Sequence, residues 1–211
     1  MRWLLACALA ATCMWAQRRE IGPEPGRFDY YVLALSWSPE YCASQGGARD
    51  KLQCVDRRYG FVTHGLWPQF EKGFPRNCRA TGEPSYDTVQ RMLDIMPSPG
   101  LVRHEWRSHG TCSGLTPGVY FDVVRRYHAA IRIPQAFQAP EKTILIEPAE
   151  LKKQFLDANL GLKAESLAVV CSGRNLREVR VCLTKEGKSR PCGRDVRDQC
   201  AVDKAVLRPV R

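Results

Sequence analysis

Three of the four histidines of this chain lie in two short, dense segments. His64 is in Phe61-Val-Thr-His-Gly-Leu-Trp-Pro-Gln69, and His104 and His109 are in Arg103-His-Glu-Trp-Arg-Ser-His-Gly-Thr-Cys-Ser113. If the second segment is helical, Glu105 and His109 stand four residues apart and share a face, with His104 one position round. A carboxylate beside an imidazole orients it and raises its pKa toward neutrality, where histidine works best as acid or base. The His-Glu pair also invites a zinc-protease reading, which the spacing rejects. His104 and His109 are five residues apart, so a helix turns them about 140° from each other, whereas two helix-borne zinc ligands need a separation of four. A serine hydrolase lacks its Gly-x-Ser-x-Gly elbow here, and a cysteine hydrolase has no free thiol if the cysteines are oxidised.

Imidazoles, a carboxylate, an indole and excess positive charge suit a different reaction. In RNA, one imidazole can take the proton of the 2′-hydroxyl while a second protonates the departing 5′-oxygen. The nucleophile is already tethered beside the phosphorus, so proximity lowers the barrier without a metal. Charge gathering on the phosphoryl oxygens calls for cationic donors nearby. DNA lacks the nucleophile and would be inert.

The elements that must position these residues are partly readable. Phe28 to Ser36 is β-branched and aromatic enough for a buried strand, and Gly60 to Trp67 reads as a second strand ended by Pro68. Residues 86–96 read as a helix closed at Pro97, and Leu101 to Gly110 as a helix with Gly110 at its C-terminal cap. Val119 to Arg132 is a third helix, with Val119, Val123, Tyr127 and Ile131 on its apolar face. Pro148 to Asn159 is a fourth. Leu167–Cys171 and Leu176–Leu183 read as strands, the latter followed by a turn at residues 185–188. Strands at both ends with helices between them predict an α+β fold with a mainly antiparallel sheet. Trp106, Tyr30, Tyr31, Phe61 and Phe121 read as core, and Trp37 as packing at a strand end. His128 reads as structural or solvated. Arg177, Arg180, Lys185, Lys188, Arg190, Arg194 and Arg197 read as a solvated basic face that would attract RNA electrostatically.

The 211 residues carry 32 Lys+Arg against 22 Asp+Glu, with 44% apolar and 26% charged residues. That composition excludes disorder, collagen and coiled coil, and the net charge of +10 favours a polyanionic partner. Residues 1–16 have an early Arg2, an apolar run from Trp3 to Ala11 and a polar exit, the layout of a cleaved signal peptide. Residues 17–211 then form a single domain. Eight cysteines remain outside the signal, an even number that implies disulfides in an exported chain, though spacing alone leaves their pairing open. No Asn-x-Ser/Thr sequon occurs, which leans toward a bacterial periplasmic protein.

At His64-Gly65-Leu66-Trp67-Pro68-Gln69 and at His104-Glu105-Trp106 with His109-Gly110-Thr111-Cys112, the sequence resembles the T2 ribonucleases. The strand Tyr31–Ser38 and the cysteine layout extend the likeness over most of the chain. The resemblance implies a disulfide-stabilised T2-like α+β fold, a central mainly antiparallel sheet with packed helices, and a metal-independent, cofactor-free endoribonuclease. Such an enzyme cuts single-stranded RNA with low base specificity to 2′,3′-cyclic and then 3′-phosphates. It implies His109 as general base, His64 as general acid, Glu105 as support for the transition state and His104 as a phosphate ligand. Trp67 would stack the base 5′ of the cut, and Gln69 would occupy a base-contacting position. It also implies the pairs Cys78–Cys112 and Cys182–Cys192 nested in Cys171–Cys200, which leaves Cys42–Cys54. The expected protein is periplasmic or secreted and monomeric, with RNA as its partner and no membrane or protein partner. One residue departs from the pattern: Ser108 stands where the family usually has Lys. That substitution supports a rival expectation, a catalytically weakened, basic RNA- or polyanion-binding protein on the same fold. A toxin-like effector acting on foreign RNA would share the chemistry and differ only in biology.

Overall fold

The computed structural model describes residues 24–79 and 82–210; the expected signal peptide lies outside the described residues. Their elements follow in chain order as β1 (Tyr30–Trp37), α1 (Ser38–Cys42), α2 (Lys51–Cys54), β2 (Phe61–Gln69), α3 (Tyr86–Met92), α4 (Pro99–Ser108), α5 (Pro117–Ala130), β3 (Ile144–Ile146), α6 (Pro148–Ala158), β4 (Leu167–Ser172), β5 (Asn175–Leu183) and β6 (Ala205–Leu207). β1 is buried at every position except Ser36, which suits a strand covered on both faces. It pairs antiparallel with β2 on one side and β5 on the other. β5 also pairs antiparallel with β4, and meets β6 in parallel at Asn175; β6 pairs with β3. The α+β, mainly antiparallel expectation holds.

Alternation along the strands divides the sheet into two faces. Leu33, Leu35 and Trp37 of β1, Leu66 of β2 and Val179 and Val181 of β5 join the main core, together with Met92, Val102, Trp106, Tyr120, Val124 and Phe155 from the helices. Tyr30 and Val32 of β1, Cys182 of β5 and Ala168 of β4 point the other way, into a smaller cluster with Val196 that Trp67 packs against. The four disulfides are Cys42–Cys54, Cys78–Cys112, Cys171–Cys200 and Cys182–Cys192, the pairing that the resemblance implied.

Several boundaries differ from expectation for identifiable reasons. β2 does not stop at Pro68, which pairs with Tyr31 inside the strand. β2 is at the end of the strand order, and an edge strand tolerates a residue without an amide proton. α3 ends at Met92 because the chain turns there, and the Ile95 carbonyl accepts the Thr63 amide of β2 at 2.8 Å. α4 starts at Pro99, with the Ser98 side chain accepting the Leu101 amide, and its cap is His109. On α5 the buried stripe is Tyr120, Phe121, Val124 and Tyr127, while Val119 is 48% exposed. The phase is set by Tyr120, whose hydroxyl donates to the Leu66 carbonyl at 2.7 Å. The short α1, α2, β3 and β6 were too brief to leave a periodic signal.

Gly110 opens a 3-10 turn over Gly110–Ser113 rather than capping α4. Its glycine is required by close approach. An added Cβ would lie 2.5 Å from Trp106 Cε3 and 2.9 Å from Tyr120 Cε1. Both rings are fully buried, so neither can move aside cheaply. Gly110→Ala should therefore lower unfolding stability by about 1–3 kcal/mol, read as a reduced urea midpoint at unchanged slope; an unaltered midpoint would contradict this packing.

Candidate active site

β2 carries one residue more than its partner. Gly65 pairs with Ala34 and Thr63 with Leu35, so His64 has no partner on β1 and forms a bulge. In a regular strand His64 and Trp67, three residues apart, would face opposite sides of the sheet. The bulge resets the alternation. Thr63 and Leu66 then face the helices, and His64 and Trp67 share the other face with ring centroids 5.2 Å apart. Thr63 is held by a 2.8 Å bond between its Oγ1 and Nδ1 of His128 on α5, which gives His128 the structural role expected of it.

α4 brings the second segment against this face. Glu105 is 1% exposed, accepts the Trp67 Nε1 proton at 2.7 Å, and lies 3.6 Å from Nε2 of His64. Gly65 makes that approach possible, since a Cβ there would fall 2.0 Å from Glu105 Oε2. The adjacent Trp106 points into the core and donates Nε1 to the Gly82 carbonyl at 3.0 Å. At the end of α4, His109 leaves helical geometry (φ −129°, ψ −46°), and its ring sits 5.4 Å from Trp67. Glu105 and His109 therefore meet across the indole rather than along a helical face. His104 is exposed, with Nε2 3.4 Å from Ser108 Oγ. A neighbouring segment is clamped here too. The Asn77 amide donates to the Ser108 carbonyl at 3.0 Å, Asn77 is the one non-glycine residue with positive φ among the described residues, and Cys78 is bridged to Cys112.

The imidazoles occupy opposite environments. Burial works against a charged His64. Its 2.6 Å bond from Nδ1 to Glu178, with the negative charges of Glu105 and Glu178, outweighs that and raises its pKa. His109 is pushed down to about 3, first by burial and then by Arg76 and the other two histidines; its Nδ1 is buried with no hydrogen-bond partner. His104 is lowered by the partial desolvation of its ring and by the positive charges of Arg76, Arg107 and His64. Burial raises Glu105, opposed by His64, the Trp67 bond and Arg76. Glu178 is held at about 2: burial opposes its charge, but His64 and Arg180 prevail.

Five of the six expected site residues converge: His64, Trp67, His104, Glu105 and His109. Gln69 does not join them. It is buried, and its amide donates to the Pro68 carbonyl at 3.0 Å. Arg180 is not simply solvated, since it pairs with Glu178 and lies 5.3 Å over the Trp67 ring. Glu178, Arg76 and Phe74 went unnoticed in the sequence. Glu178 did leave a signal, as the one acid inside the apolar strand Leu176–Leu183. A cavity of about 280 Å³ adjoins His64 and His104, lined also by Ser36, Tyr41, Asp50 and Leu101. Among the described residues, no group of three or more His, Cys, Asp or Glu side chains is arranged to hold a metal ion.

Residues 28–192 match the model of the Ribonuclease T2 family. The chain belongs to that family. It is 39% identical over 169 residues to a ribonuclease of Aeromonas hydrophila, covering 78% of this chain and 75% of that one. It is 29% identical over 211 residues to ribonuclease I of Escherichia coli, covering 79% of each. In fold it is similar to an RNase-related protein from Calystegia sepium (TM-score 0.70, 19% identity, 87% of this chain and 98% of that one). It is likewise similar to RNase NT solved with 5′-AMP (TM-score 0.63, 22% identity, 86% and 98%). This chain is a T2-type endoribonuclease with RNA as substrate, and the rival reading as a weakened polyanion-binding protein is not favoured. In this T2 ribonuclease, Gly65→Ala should displace Glu105 from Trp67. The expected result is a fall in kcat/KM of roughly 10²-fold or more and a changed indole N–H resonance for Trp67; wild-type rates would show that the Glu105–Trp67 contact is dispensable.

Proposed function

We propose that this enzyme cleaves single-stranded RNA by cyclisation, with His109 as general base and His64 as general acid. The observation that carries this assignment is the split between the two imidazoles, which flank one indole. His64 is backed by carboxylates that favour its charged form, and His109 is stripped of partners and neutral. Groups whose environments drive their pKa values apart are suited to opposite proton-transfer roles.

His109 takes the proton of the 2′-hydroxyl, and the 2′-oxygen attacks phosphorus. His64 gives its Nε2 proton to the 5′-oxygen as the P–O5′ bond breaks. The products are a 2′,3′-cyclic phosphate and a free 5′-hydroxyl. Slow hydrolysis to a 3′-phosphate follows when water replaces the 5′-hydroxyl and the two imidazoles exchange roles. The bound phosphate anion favours a charged His109, easing its protonation. His104 and Arg76 face the phosphoryl oxygens. Arg76 acts on His104, Glu105 and His109 together, and it adjoins the Asn77 clamp on Ser108. It thus supplies the charge that a lysine at 108 would bring. Arg107 is directed instead to Glu83 at 3.7 Å.

Trp67 serves twice, fixing Glu105 through its N–H and offering its half-buried ring to the base 5′ of the cut. Phe74 is 52% exposed, with its ring 6.5 Å from that of His109, and adds a second aromatic surface. Stacking on aromatic rings accepts any base, which agrees with low specificity. A contact from Gln69 would require its amide to leave Pro68. Four disulfides in a chain with a signal-like start support a single exported domain, periplasmic or secreted. In this reading the enzyme acts as a monomer without cofactor, membrane or protein partner.

Purified protein should digest RNA in EDTA and leave cyclic-phosphate ends, with DNA untouched and His64→Ala and His109→Ala inactive; no digestion by the wild type would overturn the reading. The kcat/KM profile should be bell-shaped. His109 must be neutral, so its depressed pKa places the acid limb below the ordinary histidine range; His64 must be protonated, so its raised pKa places the alkaline limb above it. Arg76→Ala should lower kcat/KM by roughly 10²-fold, and adding Ser108→Lys should restore part of the loss. Full activity of Arg76→Ala would remove Arg76 from the mechanism.

A further inference from the structure

We infer that Glu178 is a positioning residue for the leaving-group proton, gripping Nδ1 of His64 so that Nε2 alone holds and delivers it. The inference rests on the proposed role of His64 as general acid and adds a residue from a distant strand to that machinery.

Glu178 is 1% exposed and belongs to no local motif. It pairs in register with Ser36 of β1 and Val170 of β4, so its backbone is fixed from both sides. Its Oε1 accepts the His64 Nδ1 proton at 2.6 Å and the Ser36 hydroxyl at 3.3 Å. Its Oε2 accepts the Nε proton of Arg180 at 2.9 Å and is ion-paired with Nη2 of the same guanidinium at 2.9 Å. Arg180 in turn lies against Trp67, whose N–H holds Glu105. One chain of contacts therefore runs from β5 to both sides of the His64 ring.

Charge balance states the consequence. With His64 protonated, the group Glu178, Arg180, Glu105 and His64 carries two negative and two positive charges. Losing the His64 proton leaves one negative charge uncompensated in a poorly hydrated place, which favours the imidazolium. Other charged or titratable groups face the ring as well. Arg177 of β5 opposes its charge, His104 on α4 and the cap residue His109 are coupled to it, and Asp50 and Tyr41 lie across the adjoining cavity. Arg76 acts on the far side of Glu105. Glu178 alone among them bonds to the ring nitrogen that does not face the substrate. When Nε2 gives its proton to the 5′-oxygen, the Nδ1 proton stays on the imidazole, bonded to Glu178. Nε2 is left with a free pair, ready to take a proton from water in the hydrolytic step. Carboxylate–imidazole pairs hold a single tautomer in this way.

The test compares wild type, Glu178→Gln and His64→Ala on a dinucleoside monophosphate and on uridine 3′-(4-nitrophenyl phosphate), whose leaving group needs no acid. Glu178→Gln should slow the dinucleotide by roughly 10-fold to 10²-fold and the aryl ester far less. Its alkaline limb should move to lower pH by on the order of one unit, while the acid limb stays. Equal losses on both substrates with an unmoved alkaline limb would overturn the role of Glu178. Wild-type dinucleotide cleavage by His64→Ala would instead overturn the acid assignment beneath it. If Glu178→Gln does not fold, nitrogen-15 spectra of the wild-type imidazoles decide. Neutral His64 should carry its proton on Nδ1, and an Nε2–H tautomer would sink the inference.

Discussion

One extra residue in β2 sets the geometry of the whole candidate site. Strand geometry allows side chains two apart to share a face, yet His64 and Trp67 are three apart and their rings lie on the same side. The bulge at His64 resolves the conflict locally and leaves the core contacts of Thr63 and Leu66 on the helical side. His64 reaches Glu178 two strands away, past Ser36, which stands in register with Glu178 on the intervening strand. Deleting the bulge would not merely shift His64. It would reverse either the core or the site, since every later residue of β2 would change face.

The same arrangement accounts for the electrostatic division of labour. Two histidines next to one indole would titrate alike if solvated. Here the sheet supplies a buried carboxylate to one, while the other is buried at the end of α4 with no partner for its Nδ1 and with the positive charge of Arg76 nearby. A buried carboxylate is costly unless it is fully bonded. Glu178 meets that condition by taking Arg180, Ser36 and His64 together, and this saturation lets it persist ionised inside the sheet. Glu105 is different: it is buried but bonded only to Trp67 and approached by His64, so its proton affinity rises. The two carboxylates on either side of His64 therefore hold it in different ways, one firmly and one with slack.

What could be read from the sequence divides along the same line. Both histidine segments were legible because their meaning is carried by residues close together in the chain. The sheet, the main helices and the buried aromatics were legible from periodicity. The bulge was not, because a strand containing one has no sequence mark distinct from a regular strand. Glu178 and Arg76 were not recognised because each acts across a gap of many residues that only strand pairing and a disulfide close. The phase of α5 was misread for a related reason: Val119 and Tyr120 both fit an apolar stripe, and the hydroxyl bond to Leu66 chose between them. Gly110 was read as a helix cap, but its missing side chain makes room for Trp106 and Tyr120.

In the proposed mechanism, Arg76 supplies the charge that position 108 lacks. A cation at position 108 would come from α4 itself and would need only the helix to be formed. Arg76 comes from a separate segment, held to the end of α4 by the Asn77–Ser108 bond and the Cys78–Cys112 bridge. In the mechanism proposed here, phosphate binding consequently depends on that bridge. Reduction would release the segment from the helix and loosen a cation that the phosphoryl oxygens need, even with the sheet and both imidazoles intact. In that mechanism the Cys78–Cys112 bridge serves catalysis as well as stability. Full activity would in that mechanism depend on a bridge that forms under oxidising conditions.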